Sequence, residues 1–170
     1  MRRAYFFGGV NGVGKSTVLK SIIADGKEFE LFKGSARLMQ RLGIAPGDYD
    51  ALRALPDAVK ELAVNEMMEE VLSEGDENSK PLLIDAHFIN YKKGEMRDAT
   101  GSWMRHLSGI FVVEANAEMV LDRARSDVST GKRHRDLLPK GLSPDEELAW
   151  INRYLLATRV KANEVAQMYG

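Results

Sequence analysis

The chain contains no cysteine. That excludes a disulfide scaffold and any zinc site built on thiolates. Charge of one sign is lacking as well: 24 lysines and arginines stand against 25 aspartates and glutamates, a formal net charge of −1. No global basic field is available to hold a nucleic acid, and no acidic tail is present. Long hydrophobic runs are missing, since nothing approaches the roughly 18 apolar residues of a membrane span. The apolar stretch 4–7 after Arg2 and Arg3 is too short for a signal-peptide core. What remains is the expectation of a soluble, cytoplasmic protein without membrane or nucleic-acid partners. Its 170 residues, 44% of them apolar, suffice for one domain with a real core. The expectation is one domain over residues 1–170.

Short apolar runs alternate with longer amphipathic stretches. Residues 4–7, 29–32, 82–85 and 110–113 read as strands. Residues 16–24, 36–42, 58–72 and 118–126 read as helices. Ser143-Pro144-Asp145-Glu146 offers an N-cap hydroxyl, a first-position proline and a glutamate three residues after the cap. The helix it opens runs to about residue 168. Residues 46–48 read as a turn and 90–100 as an irregular polar segment. Strands alternating with helices imply a mostly parallel four-stranded sheet with helices on both faces, a three-layer α/β fold. Ligands in such sheets bind beyond the carboxyl ends of the strands.

One motif lies at that edge. Gly9-Val10-Asn11-Gly12-Val13-Gly14-Lys15-Ser16 matches G-x-x-x-x-G-K-[ST] and is followed by Thr17. The glycines let the backbone turn so that successive N–H groups face phosphate oxygens. The helix that follows aims its positive end at the same anion. Lys15 suits the β- and γ-phosphates of ATP, and the Ser16 hydroxyl suits Mg²⁺. Gly9, Asn11, Gly12, Val13, Gly14, Lys15, Ser16 and Thr17 therefore form the expected cofactor cradle. Asp85, ending the third apolar run, suits a carboxylate that holds magnesium through water.

Other motifs narrow the class. There is no Asn/Thr-Lys-x-Asp guanine motif. Asp98-Ala99-Thr100-Gly101 mimics D-x-x-G but follows no expected strand. Leu107-Ser108-Gly109 is only a fragment of a transporter signature. Positive charge arrives late in the chain, at Arg123, Arg125, 132–135 and Arg153. A glycine-flanked loop bearing several arginines is what a closing lid requires, because it brings charge to the phosphoryl group and excludes water.

Four stretches together resemble the archaeal type of adenylate kinase, within the nucleoside monophosphate kinases. They are the phosphate loop; Arg53-Ala54-Leu55-Pro56; Leu83-Ile84-Asp85-Ala86-His87; and the series from Glu114 through Arg133-His134-Arg135-Asp136 to Asn152-Arg153. The resemblance implies that Lys15, Arg133, Arg135 and Arg153 surround the transferred phosphoryl group. It implies that Arg53 binds the acceptor monophosphate, that Ser35 touches the acceptor, and that Arg123 contributes to the donor side. His87 either faces the acceptor or fixes the loop. An acceptor-binding segment over 33–75 and a lid over 127–142 follow, as do small-molecule nucleotide substrates and a homo-oligomer. Residues 90–103 depart from the family's pattern near the acceptor base. The family's sheet has a fifth strand, and none is found here. The apolar fourth strand then lies at an edge, where a loop, a helix or another chain is expected to cover it.

The resemblance implies transfer of the ATP γ-phosphoryl to a nucleoside monophosphate, AMP first. Two other readings stay open: a kinase of a small hydroxylated metabolite or nucleic-acid 5′-hydroxyl, with Asp85 as the base, and a non-catalytic ATP-binding regulatory module.

Overall fold

Strand β1 (Ala4–Gly8) lies inside a four-stranded sheet whose order is β2 (Glu30–Phe32), β3 (Leu82–Ala86), β1, β6 (Gly109–Val112). All three pairings are parallel, and Phe6 stands opposite both Ile84 and Ile110. The computed structural model describes residues 2–25, 28–74, 79–92, 94–129 and 137–169. The helices are α1 (Lys15–Ala24), α2 (Gly34–Arg41), α3 (Tyr49–Ala54), α4 (Asp57–Ser73), α5 (Ala117–Ser129) and α6 (Pro144–Tyr169).

A parallel sheet must be covered on both faces, and strand side chains alternate between them. Ala4, Phe6, Leu82 and Ile84 point one way, into a core completed by Leu38 of α2, Met67 and Leu72 of α4, and Ala162 and Val165 of α6. Phe7 and Leu83 point the other way, onto Leu19 of α1. The four expected strands and the α/β class are present. Helix α6 begins as its sequence dictates. The Ser143 backbone N–H donates to Glu146 Oε2 at 2.7 Å, and the Glu146 N–H donates back to Ser143 Oγ at 3.4 Å. Those bonds from Ser143, the backbone one foremost, hold the Glu146 carboxyl below its usual range.

The structure corrects one expectation in kind. Residues 90–100 are not irregular: β4 (Ile89–Lys92) and β5 (Glu95–Asp98) form an antiparallel hairpin, with Gly94 at φ +87° in its turn. Ile89, Tyr91 and Met96 pack against a third core around Val10, Val120 and Ile151. The Tyr154 hydroxyl donates to the Ile89 carbonyl at 3.0 Å, and burial pushes the Tyr154 phenol up to about 12. Asp57 of α4 pins the hairpin from outside by accepting from Lys92 and Arg97, as well as from Lys60. Asp98 does end a strand, β5, but its carboxylate is spent on Thr100 and Lys161. Helix α3 and a 3-10 helix, Ser102–His106, are further additions. Asp48 caps α3 by accepting from the Ala51 N–H at 2.9 Å.

Strand β6 is at the sheet edge among the described strands. Its cover is partial. Arg159 of α6 donates two bonds to Glu114, just past the strand, at 2.8 and 3.0 Å. Phe111 stacks on Phe7 with centroids 4.7 Å apart, yet remains 47% exposed. No helix among the described residues is long and apolar enough to cross a membrane.

Candidate active site

The loop from Gly9 to Gly14 joins β1 to α1, so the sheet core sets its position. Gly12 and Gly14 take φ of +91° and +103°, the left-handed region that only glycine adopts without strain. Gly9 is required for a different reason. A Cβ there would stand 2.5 Å from the Val113 carbonyl oxygen. No side chain caps the N-terminus of α1, so its positive end faces the space above the loop.

The Lys15 side chain lies along the loop rather than in solvent. Its Nζ donates to the carbonyls of Gly9 at 2.9 Å and Val10 at 3.2 Å, and the residue is buried. His87 Nδ1–H donates to the same Gly9 carbonyl at 2.7 Å, and the ring sits 3.5 Å from Lys15 Nζ. The Ser16 hydroxyl donates to Asp85 Oδ2 at 2.8 Å. Arg123 of α5 reaches across to donate to the Gly12 carbonyl at 2.8 Å. Strand ends β1 and β3 and helices α1 and α5 thus converge on one loop.

These residues open into a cavity of about 650 Å³ at the carboxyl ends of the strands. Asn11, Gly12, Gly14, Lys15, Ser16 and Thr17 form one wall. Phe32, Lys33 and Ser35, at the end of β2 and the start of α2, line it from beyond β3, and Tyr49 lines it too. Asp85 comes from β3, His87 from the residue just past it, and Arg123 and Asp127 from α5.

Gly9 and Val13 serve the cradle from behind: Gly9 sits against Val113, and Val13 is buried in the core around Val10. Arg53 is not at the cavity wall; on α3 its guanidinium is paired with Asp50 at 2.5 Å and its side chain is 66% exposed. Arg153 is also away from the wall, with its guanidinium 5.1 Å from the centre of the Trp150 ring. Arg133 and Arg135, with the rest of residues 130–136 in the lid expected over 127–142, lie outside the described residues. Lys33 and Tyr49, within the segment expected to bind the acceptor, and Asp127, within the expected lid, are wall residues that were not individually expected. Asp127 follows Arg123 by four positions on a helix, a spacing that puts both on one face.

The residues present fit the phosphates of a nucleoside triphosphate and a magnesium ion. The cradle has the space, the backbone donors and the cation that phosphates need. The Ser16–Asp85 pair supplies a hydroxyl and a carboxylate together. Among the described residues no group of three His, Cys, Asp or Glu could hold a metal alone. That suits magnesium in phosphate sites, where water and phosphate supply most ligands.

Such a loop at the carboxyl edge of a parallel sheet defines a P-loop protein of kinase fold. The chain matches the AAA domain family over residues 8–138 and belongs to it. Among solved structures it is similar to shikimate kinase from Bacteroides thetaiotaomicron, at 16% identity and TM-score 0.60, over 95% of this chain and 82% of that one. It is similar also to shikimate kinase from Acinetobacter baumannii in complex with shikimate, at 14% identity and TM-score 0.60, over 97% and 80%. TT1252 from Thermus thermophilus aligns at 18% identity and TM-score 0.51, over 98% and 95%. At these identities the likeness is one of fold. No curated protein matches the chain.

Proposed function

We propose that the whole chain is one ATP- and Mg²⁺-dependent phosphotransferase unit, and that its acceptor is a nucleoside monophosphate, AMP first. The observation that carries this reading is the arrangement across one cavity. Lys15 and Ser16 follow β1, Lys33 and Ser35 lie just past β2, and Asp85 ends β3 between those two strands, all lining the same cavity. A bound Mg·ATP would supply the phosphoryl group and neutralise part of its charge. Lys15 already lies along the loop, where it meets phosphate oxygens at little cost in side-chain freedom. Ser16 and Asp85 hold their oxygens 2.8 Å apart, ready for a metal ion and its water. His87 fixes the Gly9 carbonyl and thereby the loop. Lys33 brings an incoming anion to the donor side. A phosphate acceptor is already anionic, so no general base is needed.

A second reading is a small hydroxylated acceptor. It is favoured by fold neighbours that are named shikimate kinases and by the position of Arg53 outside the cavity. A hydroxyl must lose a proton, and Asp85 and Asp127 both face the cavity. A coupled assay with Mg·ATP decides between the two. Transfer to AMP, CMP, UMP or GMP supports the first. Transfer only to hydroxylated acids or sugars sinks it and supports the second. Tight Mg·ATP binding without transfer to any of them removes both.

A further inference from the structure

Asn11 and Gly12 stand at the centre of the phosphate loop, and no other asparagine of the chain precedes a glycine. An asparagine–glycine step can modify itself. The glycine nitrogen attacks the asparagine side-chain carbon, and no Cβ on the glycine obstructs the approach. In a folded chain two things govern that attack: whether the nitrogen and the carboxamide are free, and whether the surroundings favour the anion that forms.

Both groups are free. Asn11 and Gly12 are the central residues of a turn closed by the Val13 N–H, which donates to the Val10 carbonyl at 3.5 Å, long for such a bond. Asn11 is half-buried and lines the cavity. Neither its carboxamide nor the Gly12 N–H makes a hydrogen bond among the described residues. Positive charge brackets the step. Lys15 donates to the Val10 carbonyl just before it, and Arg123 to the Gly12 carbonyl just after it. The N-terminus of α1, uncapped by any side chain, adds its dipole. Two carboxylates share the cavity, Asp85, which accepts from the Ser16 hydroxyl, and Asp127. The donors and charges that suit phosphate oxygens thus also suit a deprotonated backbone nitrogen and the oxyanion formed as it attacks.

We propose that Asn11 is a self-modification site: in the nucleotide-free protein it converts, with water as the co-reactant, to an aspartyl or isoaspartyl residue that shuts the phosphate cradle. The Gly12 nitrogen gives its proton to solvent and bonds to Asn11 Cγ. The side-chain nitrogen takes a proton and leaves as ammonia, and a cyclic imide closes. Water then adds to one imide carbonyl and breaks its bond to the ring nitrogen, which regains a proton. Either product places a carboxylate among groups arranged for an anion, and the isoaspartyl form also lengthens the loop backbone by a methylene. A bound nucleotide would occupy the Gly12 N–H and protect the step. That protection rests on the phosphotransferase reading above; the conversion itself does not.

The test is incubation of the full chain in mildly alkaline buffer, with and without saturating Mg·ADP. It is followed by peptide mass mapping and, at intervals, by calorimetric titration with Mg·ADP. The expected result is that position 11 gains the amide-to-acid mass at least roughly tenfold faster than Asn65, Asn90, Asn116, Asn152 or Asn163. Saturating Mg·ADP slows that gain by roughly tenfold or more, because a phosphate-bonded N–H must first be released. Converted protein binds Mg·ADP at least roughly tenfold more weakly, since a like charge now stands in the cradle. Asn11→Ala, whatever affinity it starts from, keeps it through the same incubation. Position 11 reacting no faster than the other asparagines overturns the proposal. So does faster conversion in the urea-unfolded chain than in the folded one, because the fold would then protect the step instead of promoting it. Conversion that bound Mg·ADP fails to slow, conversion that leaves nucleotide affinity intact, or an equal decline in Asn11→Ala overturns it as well. Failure of Mg·ADP to bind the fresh wild-type protein strikes the phosphotransferase reading, while the conversion rates still judge the proposal.

Discussion

Gly9→Ala tests whether the phosphate loop and β6 are locked together as tightly as the backbone geometry demands. The new Cβ would meet the Val113 carbonyl oxygen at 2.5 Å, whereas ordinary contact begins near 3.4 Å. The obstacle is backbone, so no side-chain rotation relieves it, and the two segments must part by nearly 1 Å. The Val113 N–H donates to the Gly8 carbonyl at 2.8 Å immediately beside this point. Separation therefore stretches that bond, worth about 1 kcal/mol, and crowding adds about 1–3 kcal/mol. A loss of about 2–4 kcal/mol lowers the melting temperature of a chain this size by roughly 5–15 °C. The loop amides move with Gly9, so Mg·ATP affinity falls as well. Gly47→Ala is the control: it has φ +89° but nothing within 4 Å of its Cβ, and its cost is backbone strain of about 1–2 kcal/mol. Differential scanning calorimetry and nucleotide titration read both. A Gly9→Ala protein with wild-type melting temperature and nucleotide affinity would falsify the steric argument and the loop position it rests on.

Three further outcomes follow from particular contacts. Lys15→Met should lower phosphoryl transfer by roughly 10²-fold or more, since a cation aimed at the transferred group is removed; a rate within threefold of wild type means the cradle is misread. Ser143→Ala should destabilise the chain by about 1 kcal/mol through loss of the α6 cap, and unchanged urea unfolding would deny that the Ser143–Glu146 pair starts the helix. The Asp57 carboxyl is held well below its ordinary range, chiefly by the Lys92 hydrogen bond and then by Lys60. A depressed carboxyl stabilises the fold above its unfolded value and loses that contribution as pH falls. Thermal stability measured downward from pH 5 should therefore drop less steeply in Asp57→Asn than in wild type, and parallel pH profiles would contradict the assignment.

The phosphate loop and the start of α6 were legible in sequence because both are written in consecutive residues. Glycine at fixed spacing dictates a turn, and Ser143 with Glu146 closes a cap within one helical turn. Strands β1 and β3 were legible because a parallel strand buried on both faces is a plain apolar run; β6 is an apolar run too, although Phe111 and Val112 are exposed at the sheet edge. The hairpin was not, because Ile89, Tyr91 and Met96 are diluted by Asn90, Lys92, Glu95 and Arg97. The exposed half of an antiparallel pair looks the same as a polar loop until its partner is known. Helix α3 hides for a related reason, being six residues with no buried member. Site residues divide along the same line. Ser16 and Asp85 meet because strand ends of a parallel sheet are neighbours, which the βαβ pattern already implies. The position of Arg53 depends on how α3 lies, and of Arg153 on the Trp150 ring, and neither is encoded locally.

The order in which this sheet is assembled matters for how the chain is made. Strand β1 is made before the other three strands of its sheet, yet its two neighbours are residues 82–86 and 109–112. At bacterial or eukaryotic synthesis rates of about 5–20 residues per second, the stretch Ala4-Tyr5-Phe6-Phe7 waits for several seconds with both backbone edges open. The wall behind Gly9 is residue 113, so the nucleotide loop cannot take its final shape until that residue has been made. A nascent chain halted near residue 100 would carry every residue of the motif and still present β1 with its edge toward residues 109–112 open, a natural client for a ribosome-bound chaperone.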